Sequence, residues 1–167
     1  MFQHGQDVIF CAGENHVQNA CWKLERERWT VFNELNYKRI DSSVVQMINE
    51  TYVIGGWNDP QSRSSEMLQH NGSSWQMWHE HEKIAGGCVV RISDTEFLQI
   101  GGFYGDSSRI WKYSIEDGKK QHTHIRLKQP RRYHQCHMYQ GRVIITGGWG
   151  DRYFRFLTIL GTVTLSV

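Results

Sequence analysis

Thr51-Tyr52-Val53-Ile54-Gly55-Gly56-Trp57 is an apolar run closed by two glycines and an aromatic residue, and the chain returns to it twice. Phe97-Leu98-Gln99-Ile100-Gly101-Gly102-Phe103 and Val143-Ile144-Ile145-Thr146-Gly147-Gly148-Trp149 follow at a fixed spacing of 46 residues. One motif per period at this length marks a repeat architecture. A weaker copy, Val8-Ile9-Phe10-Cys11-Ala12-Gly13, stands 43 residues before Gly56. About four copies of one unit are expected, roughly residues 1–36, 37–80, 81–128 and 129–167 of a single domain covering 1–167.

Each unit reads as short strands broken by polar turns, with 2 Pro in the chain and no helical spacing of apolar residues. In the second unit, Ser43 to Ile48, Thr51 to Ile54, Ser65 to His70 and Trp75 to His79 are predicted strands. Asn71-Gly72 is a hairpin turn signal. The third unit repeats the order with Cys88 to Ile92, Glu96 to Ile100, Arg109 to Ile115 and Gln121 to Leu127. In the fourth, Gly141 to Thr146 and Tyr153 to Ile159 are the predicted strands. Glycine pairs at strand ends admit positive φ and close backbone approach. Four antiparallel strands per unit make one propeller blade, so the fold class is all-β.

The chain resembles the kelch repeat family, whose mark is an apolar strand ending in a double glycine, then a Tyr and a Trp. The Trp is matched by Trp29 and Trp75, 16 and 19 residues after Gly13 and Gly56, and the Tyr by Tyr113. Leu68 stands at the Tyr place of the second unit and Gln121 at the Trp place of the third, where the pattern is broken. A basic residue opening a unit is matched by Arg39 and Arg132. The resemblance implies a kelch-type β-propeller of about four blades in an incomplete ring. Its first unit is expected to begin at the second strand. The alternative is that the tail Thr162 to Val167 supplies that missing strand and closes four blades. It also implies a protein-interaction role, as in substrate-recognition domains of cullin-type ubiquitin ligase adaptors or in scaffolds.

The 7 Trp, 7 Tyr and 7 Phe favour a substantial core or interface. With 19 Lys+Arg against 17 Asp+Glu, the chain has no basic stripe that would suit nucleic acid. No apolar run reaches the roughly 20 residues that span a bilayer. Cys11, Cys21, Cys88 and Cys136 are far apart, form no CxxC pair and sit mostly in strand-like runs. They are expected to be free structural thiols in a reducing, cytoplasmic setting.

No nucleophile elbow, phosphate loop or HExxH helix is present, and neither catalysis nor a cofactor is expected. His79/His81 and His122/His124, two apart on strands, share a face in the manner of half a metal site, and His134/His137 form a third cluster. The competing reading as exposed polar-face histidines is the simpler one, so no metal is assigned. The alternative function is a kelch-fold enzyme with a metal on the central face, as in proteins that resemble galactose oxidase. The candidate partner-binding residues are Tyr37, Arg39, Arg63, Tyr104, Arg131, Arg132, Tyr133 and Arg152. They lie in predicted loops between strands and between units. Arg and Tyr are hot-spot residues, and guanidinium forks suit carboxylates, so a protein or acidic or phosphorylated peptide is the expected partner. Self-association through open blade edges is also expected.

Overall fold

The structure is a computed structural model that describes residues 1–11, 19–57, 64–69, 72–80, 84–150 and 158–162. Arg63, His81, Arg152 and Asn71 of the hairpin signal lie outside the described residues. The chain divides into two compact units, Met1–Ala85 and Gly86–Val167, each holding two small antiparallel sheets. No helix occurs among the described residues, and none is long and apolar enough to cross a membrane.

In the first unit, one sheet is ordered β1 (Phe2–His4), β2 (Asp7–Cys11), β3 (Ala20–Glu25) and β4 (Arg28–Glu34). The other is ordered β5 (Ser43–Gln46), β6 (Glu50–Ile54), β7 (Ser64–Gln69) and β8 (Gln76–Glu80). In the second unit, β9 (Cys88–Arg91), β10 (Glu96–Ile100), β11 (Arg109–Ser114) and β12 (Lys120–Arg126) form one sheet. The last comprises β13 (Arg132–Tyr139), β14 (Arg142–Trp149) and β15 (Thr158–Thr162).

Two expectations change. The first sheet does not begin at its second strand, because Phe2–His4 already pairs with β2 through Phe2↔Ile9, Gln3↔Val8 and His4↔Asp7. The place that the tail would fill in the alternative, closed reading is therefore taken by β1, and Thr162 belongs to β15. Residues 163–167 lie outside the described residues. The strand-like run around Cys136 belongs to β13, which begins at Arg132 and so takes in Arg132 and Tyr133, where a turn was expected.

The apolar runs before the double glycines are buried for the reason their composition suggests. Tyr52, Val53 and Ile54 on β6, and Phe97, Leu98 and Ile100 on β10, are all buried. Each strand lies inside a sheet that packs against a second one. In the first unit, Phe2, Ile9, Cys21 and Leu35 meet Val53, Leu68 and Trp75. In the second, Leu98, Ile100 and Ile110 meet Cys136, Val143 and Ile145. Trp75 thus has the packing role expected of it, whereas Trp29 is half exposed and does not.

At the ends of these strands the glycines take left-handed conformations, Gly55 and Gly56 at φ 63° and 101°, Gly101 and Gly102 at 60° and 107°. This turns the second glycine's N–H outward to the chain segment that leads to the next sheet. Gly56 N–H donates to the Ile84 carbonyl at 2.8 Å, and Gly102 N–H to the Arg131 carbonyl at 3.0 Å. A side chain does not fit: a Cβ on Gly101 would lie 2.5 Å from the Arg131 oxygen and 2.8 Å from His134 Cε1.

The cysteines are not free. Cys11 and Cys21 stand directly opposite each other on β2 and β3 and are joined, and a second disulfide links Cys88 on β9 to Cys136 on β13. Spacing along the chain does not reveal such pairs, because they depend on which strands become neighbours. Cross-links of this kind typically contribute about 2–4 kcal/mol, chiefly by restricting the unfolded chain.

The glycine geometry gives a quantitative expectation. Gly118 also has positive φ (63°) but faces open space, so Gly118→Ala meets only backbone strain, about 1–2 kcal/mol. Gly101→Ala adds a clash with backbone and should cost at least ~1 kcal/mol more in urea unfolding. Equal losses in the two variants would show that the glycine is not needed for close approach.

Candidate functional site

The chain makes the same left-handed turn just before β5, just before β9 and at the second residue of β13. Asp41, Gly86 and Tyr133 have φ of 57°, 62° and 54°. Each stands two residues before the one that faces the strand end, in the pairs Ser43↔Ile54, Cys88↔Ile100 and Gln135↔Thr146. Glycine takes this conformation freely and aspartate tolerates it, whereas for tyrosine it costs about 1–2 kcal/mol. Alignment on the turn makes Arg39 the counterpart of Arg131, and Ile40 that of Arg132. The sequence reading had matched Arg39 to Arg132, one residue out of step.

Arg39 and Arg131 are 1% and 2% exposed, so they do not form the ligand-facing surface expected of them. Both hold the double glycine from within: Arg39 Nη1 donates to the Gly55 carbonyl at 2.6 Å and Arg131 Nη1 to the Gly147 carbonyl at 3.2 Å. Arg39 is further bound by Glu66 on β7, whose Oε1 accepts from Nε at 3.1 Å and Nη2 at 2.9 Å. The same carboxylate accepts from the Asn36 N–H and side-chain amide and from the Tyr37 N–H, so Tyr37 helps hold this pair. Burial lowers the Arg39 pKa, and the Glu66 charge acts against that. Burial also lowers that of Arg131, which reaches the Gln129 carbonyl and side-chain oxygen.

Arg132, Tyr133 and Tyr104 remain at the surface of the second unit and come together around Phe103. The Arg132 guanidinium carbon lies 4.3 Å from the Phe103 ring centroid and 3.8 Å from that of Trp149. Stacking on two rings fixes the plane of the cation while leaving its edge for hydrogen bonding. Tyr133, half exposed, meets Phe103 edge-on at 5.0 Å, and Tyr104 lies 6.3 Å from the same ring. Arg132 Nε is buried with no acceptor, and no carboxylate pairs with this guanidinium among the described residues.

Beside it is a cleft of about 370 Å³ lined by Ser107, Pro130, Arg131, Arg132, Trp149 and Gly150. The Ser107 wall is held in place by its neighbour Asp106. The Ser108 hydroxyl and N–H donate to Asp106 and bring its pKa down to about 2, with Arg126 adding its charge. Arg131 N–H donates to the Ser107 carbonyl at 3.3 Å, tying the loop to the segment before β13.

His134 is buried under this surface, between Gly101 and Gly148. Desolvation, then the Arg131 charge, lowers its pKa from 6.5 to about 4, against the carbonyls of Ile100 and Arg132. His137 is exposed on the opposite face of β13, and His122 stands edge-on to Trp111 at 4.8 Å. No group of three His, Cys, Asp or Glu gathers in a metal-binding arrangement among the described residues.

Glu66 and the pairing of Phe103 with Trp149 across Arg132 are absent from the sequence reading, and His134, expected with His137 as an exposed polar-face histidine, is buried instead. The regular placing of an aromatic after each double glycine was the available signal for the ring pairing. Searches against family models and curated proteins found no match to this chain.

Removing one partner of a buried ion pair strands the other charge, typically at ~3–5 kcal/mol. Glu66→Gln should lower stability by about that amount in denaturant unfolding, and a loss within experimental error would deny the pair its structural role.

His134 sets a pH dependence. An unfolded histidine takes up its proton near pH 6.5 and the folded one only near pH 4. Acidification through that window therefore favours the unfolded chain, and the stability is fully present above it. His134→Gln should make the melting temperature fall less between pH 7 and pH 5. An unchanged fall would acquit this residue.

Proposed function

We propose that the chain is a non-catalytic protein-interaction module, a partial kelch-type β-propeller that receives acidic or phosphorylated peptide segments at Arg132. Support for the architecture comes from the 46-residue period, the four small antiparallel sheets and the recurring left-handed turn. One observation carries the ligand class. Arg132 is clamped by two rings with a buried donor that has no acceptor, at the mouth of a cleft. An unmet buried donor costs about 1–3 kcal/mol, and an arriving carboxylate or phosphate oxygen that draws the guanidinium towards the cleft gives it an acceptor. Charge-assisted bonds to a guanidinium are among the stronger hydrogen bonds, and the adjacent tyrosines add contact area at small entropic loss.

The role resembles that of a substrate-recognition domain or a scaffold. The ubiquitin-ligase version requires a cytoplasmic location, where thiols stay reduced, whereas the two disulfides suit an oxidising compartment. The peptide-capture reading holds in either.

Binding of fluorescent Glu-rich and phosphoserine peptides tests the site. Arg132→Glu should weaken capture at least tenfold while the protein stays folded by circular dichroism, the lost ring stacking lowering its melting temperature only modestly. Arg132→Lys should restore only part of the binding, because a point charge lacks the fork. Affinity should fall with added salt. If Arg132→Glu binds as the parent does with the same salt dependence, the cleft is not the site. Arg39 is unsuitable for such a reversal, since its charge lies inside the fold.

A further inference from the structure

The first sheet carries an apolar face that the fold of its own unit does not cover. Register places Val8, Leu24 and Trp29 side by side across β2, β3 and β4, and next to them Phe10, Trp22 and Val31. Five of the six are 38–60% exposed, with Trp22 half-buried between Phe10 and Val31. The opposite face, with Ile9 and Cys21, is the one that packs on Val53 and Leu68.

Corresponding positions elsewhere show what this kind of face meets. Phe10, Val53 and Ile145 each stand three residues before the second residue of the terminal pair, at Gly13, Gly56 and Gly148. Val53 and Ile145 are fully buried, Val53 against Ile9 and Cys21 of the sheet before it and Ile145 against Leu98 and Ile100. Phe10 is 46% exposed. The surface that the second and fourth sheets press onto the preceding sheet is, on the first sheet, open.

We propose that this face binds a second copy of the chain, face to face, through Val8, Phe10, Trp22, Leu24, Trp29 and Val31. All six are uncharged, so two-fold stacking leaves no charge buried without a partner. Two half-exposed aromatics with the aliphatic residues give on the order of 400 Å² of apolar surface per copy, the size of a monomer's largest patch, which is often functional. Two such faces with a polar rim approach the lower end of specific interfaces. At the turn between β3 and β4 the rim carries both signs, Arg26 and Arg28 beside Glu27, all exposed, so each copy offers the other a complement. Asp7 and Glu25 are engaged by Lys23 of the same sheet. Stacked sheets sit about 10 Å apart, the spacing of an ordinary sandwich. This is a contact through the sheet's face, separate from edge pairing and from the Arg132 cleft.

Sedimentation of the intact protein between 1 and 100 µM should show a monomer–dimer equilibrium with a dissociation constant in the micromolar range. Trp29→Glu/Val31→Glu should weaken it at least tenfold. Both residues are solvent-exposed in the monomer, so the melting temperature of a dilute sample should hold. Val31→Lys alone, at the most exposed of the six, serves if the double variant fails to fold, and should weaken dimerisation in the same direction. Arg132→Glu should leave it unchanged. A parent that is monomeric at 100 µM, or a folded variant that dimerises with the parent's constant, overturns the proposal.

Discussion

A single backbone hydrogen bond, from the second glycine of a strand-ending pair to a carbonyl nearly thirty residues downstream, underlies how each unit is built. It forms from Gly56 to Ile84 in the first unit and from Gly102 to Arg131 in the second. It needs two consecutive left-handed residues and no side chain in the gap, and only glycine meets both conditions cheaply. The burial of Arg39 and Arg131 follows from the same arrangement, since their guanidinium groups fill the space beneath a glycine pair and bond its carbonyl. Arg39 also meets a buried carboxylate in Glu66, and Arg131 reaches oxygens of Gln129 and Gly147.

Position 132 shows how one residue step separates structure from surface chemistry. In the first unit, the corresponding Ile40 exchanges backbone hydrogen bonds with Trp57 and offers no charge. In the second unit, a guanidinium at that place stacks on Phe103 and Trp149. The scaffold is shared and the side chain is not, which is the usual way a fold acquires a binding site.

The strand ends were legible because they depend on local rules. Glu96 to Ile100 was predicted with the bounds that the structure has, and the glycine pairs fall where backbone direction changes. Strand β1 was missed because three residues of Phe-Gln-His carry too little pattern to register. The start of β13 was missed because Arg132 and Tyr133 read as a polar turn, and the buried His134 gives no apolar signal there. The fates of Arg39 and the cysteines were not legible for a different reason. Glu66 is 27 residues from Arg39, and Cys136 is 48 from Cys88, so both pairings exist only once strands have found neighbours. Of the site, Tyr104 and Tyr133 are exposed and Arg132 is half-buried, with Arg132 and Tyr133 on a strand where a loop was expected, and their assembly around Phe103 had to await the fold.

The bond between Cys88 and Cys136 encloses the whole of β10, β11 and β12 in one covalent loop. A protease that cuts once anywhere inside that loop, for instance at the exposed Glu116-Asp117 bond, releases nothing. Both fragments stay tethered, and the nick becomes visible as two pieces only after reduction. Survival after cleavage in the second unit is thus coupled to redox conditions.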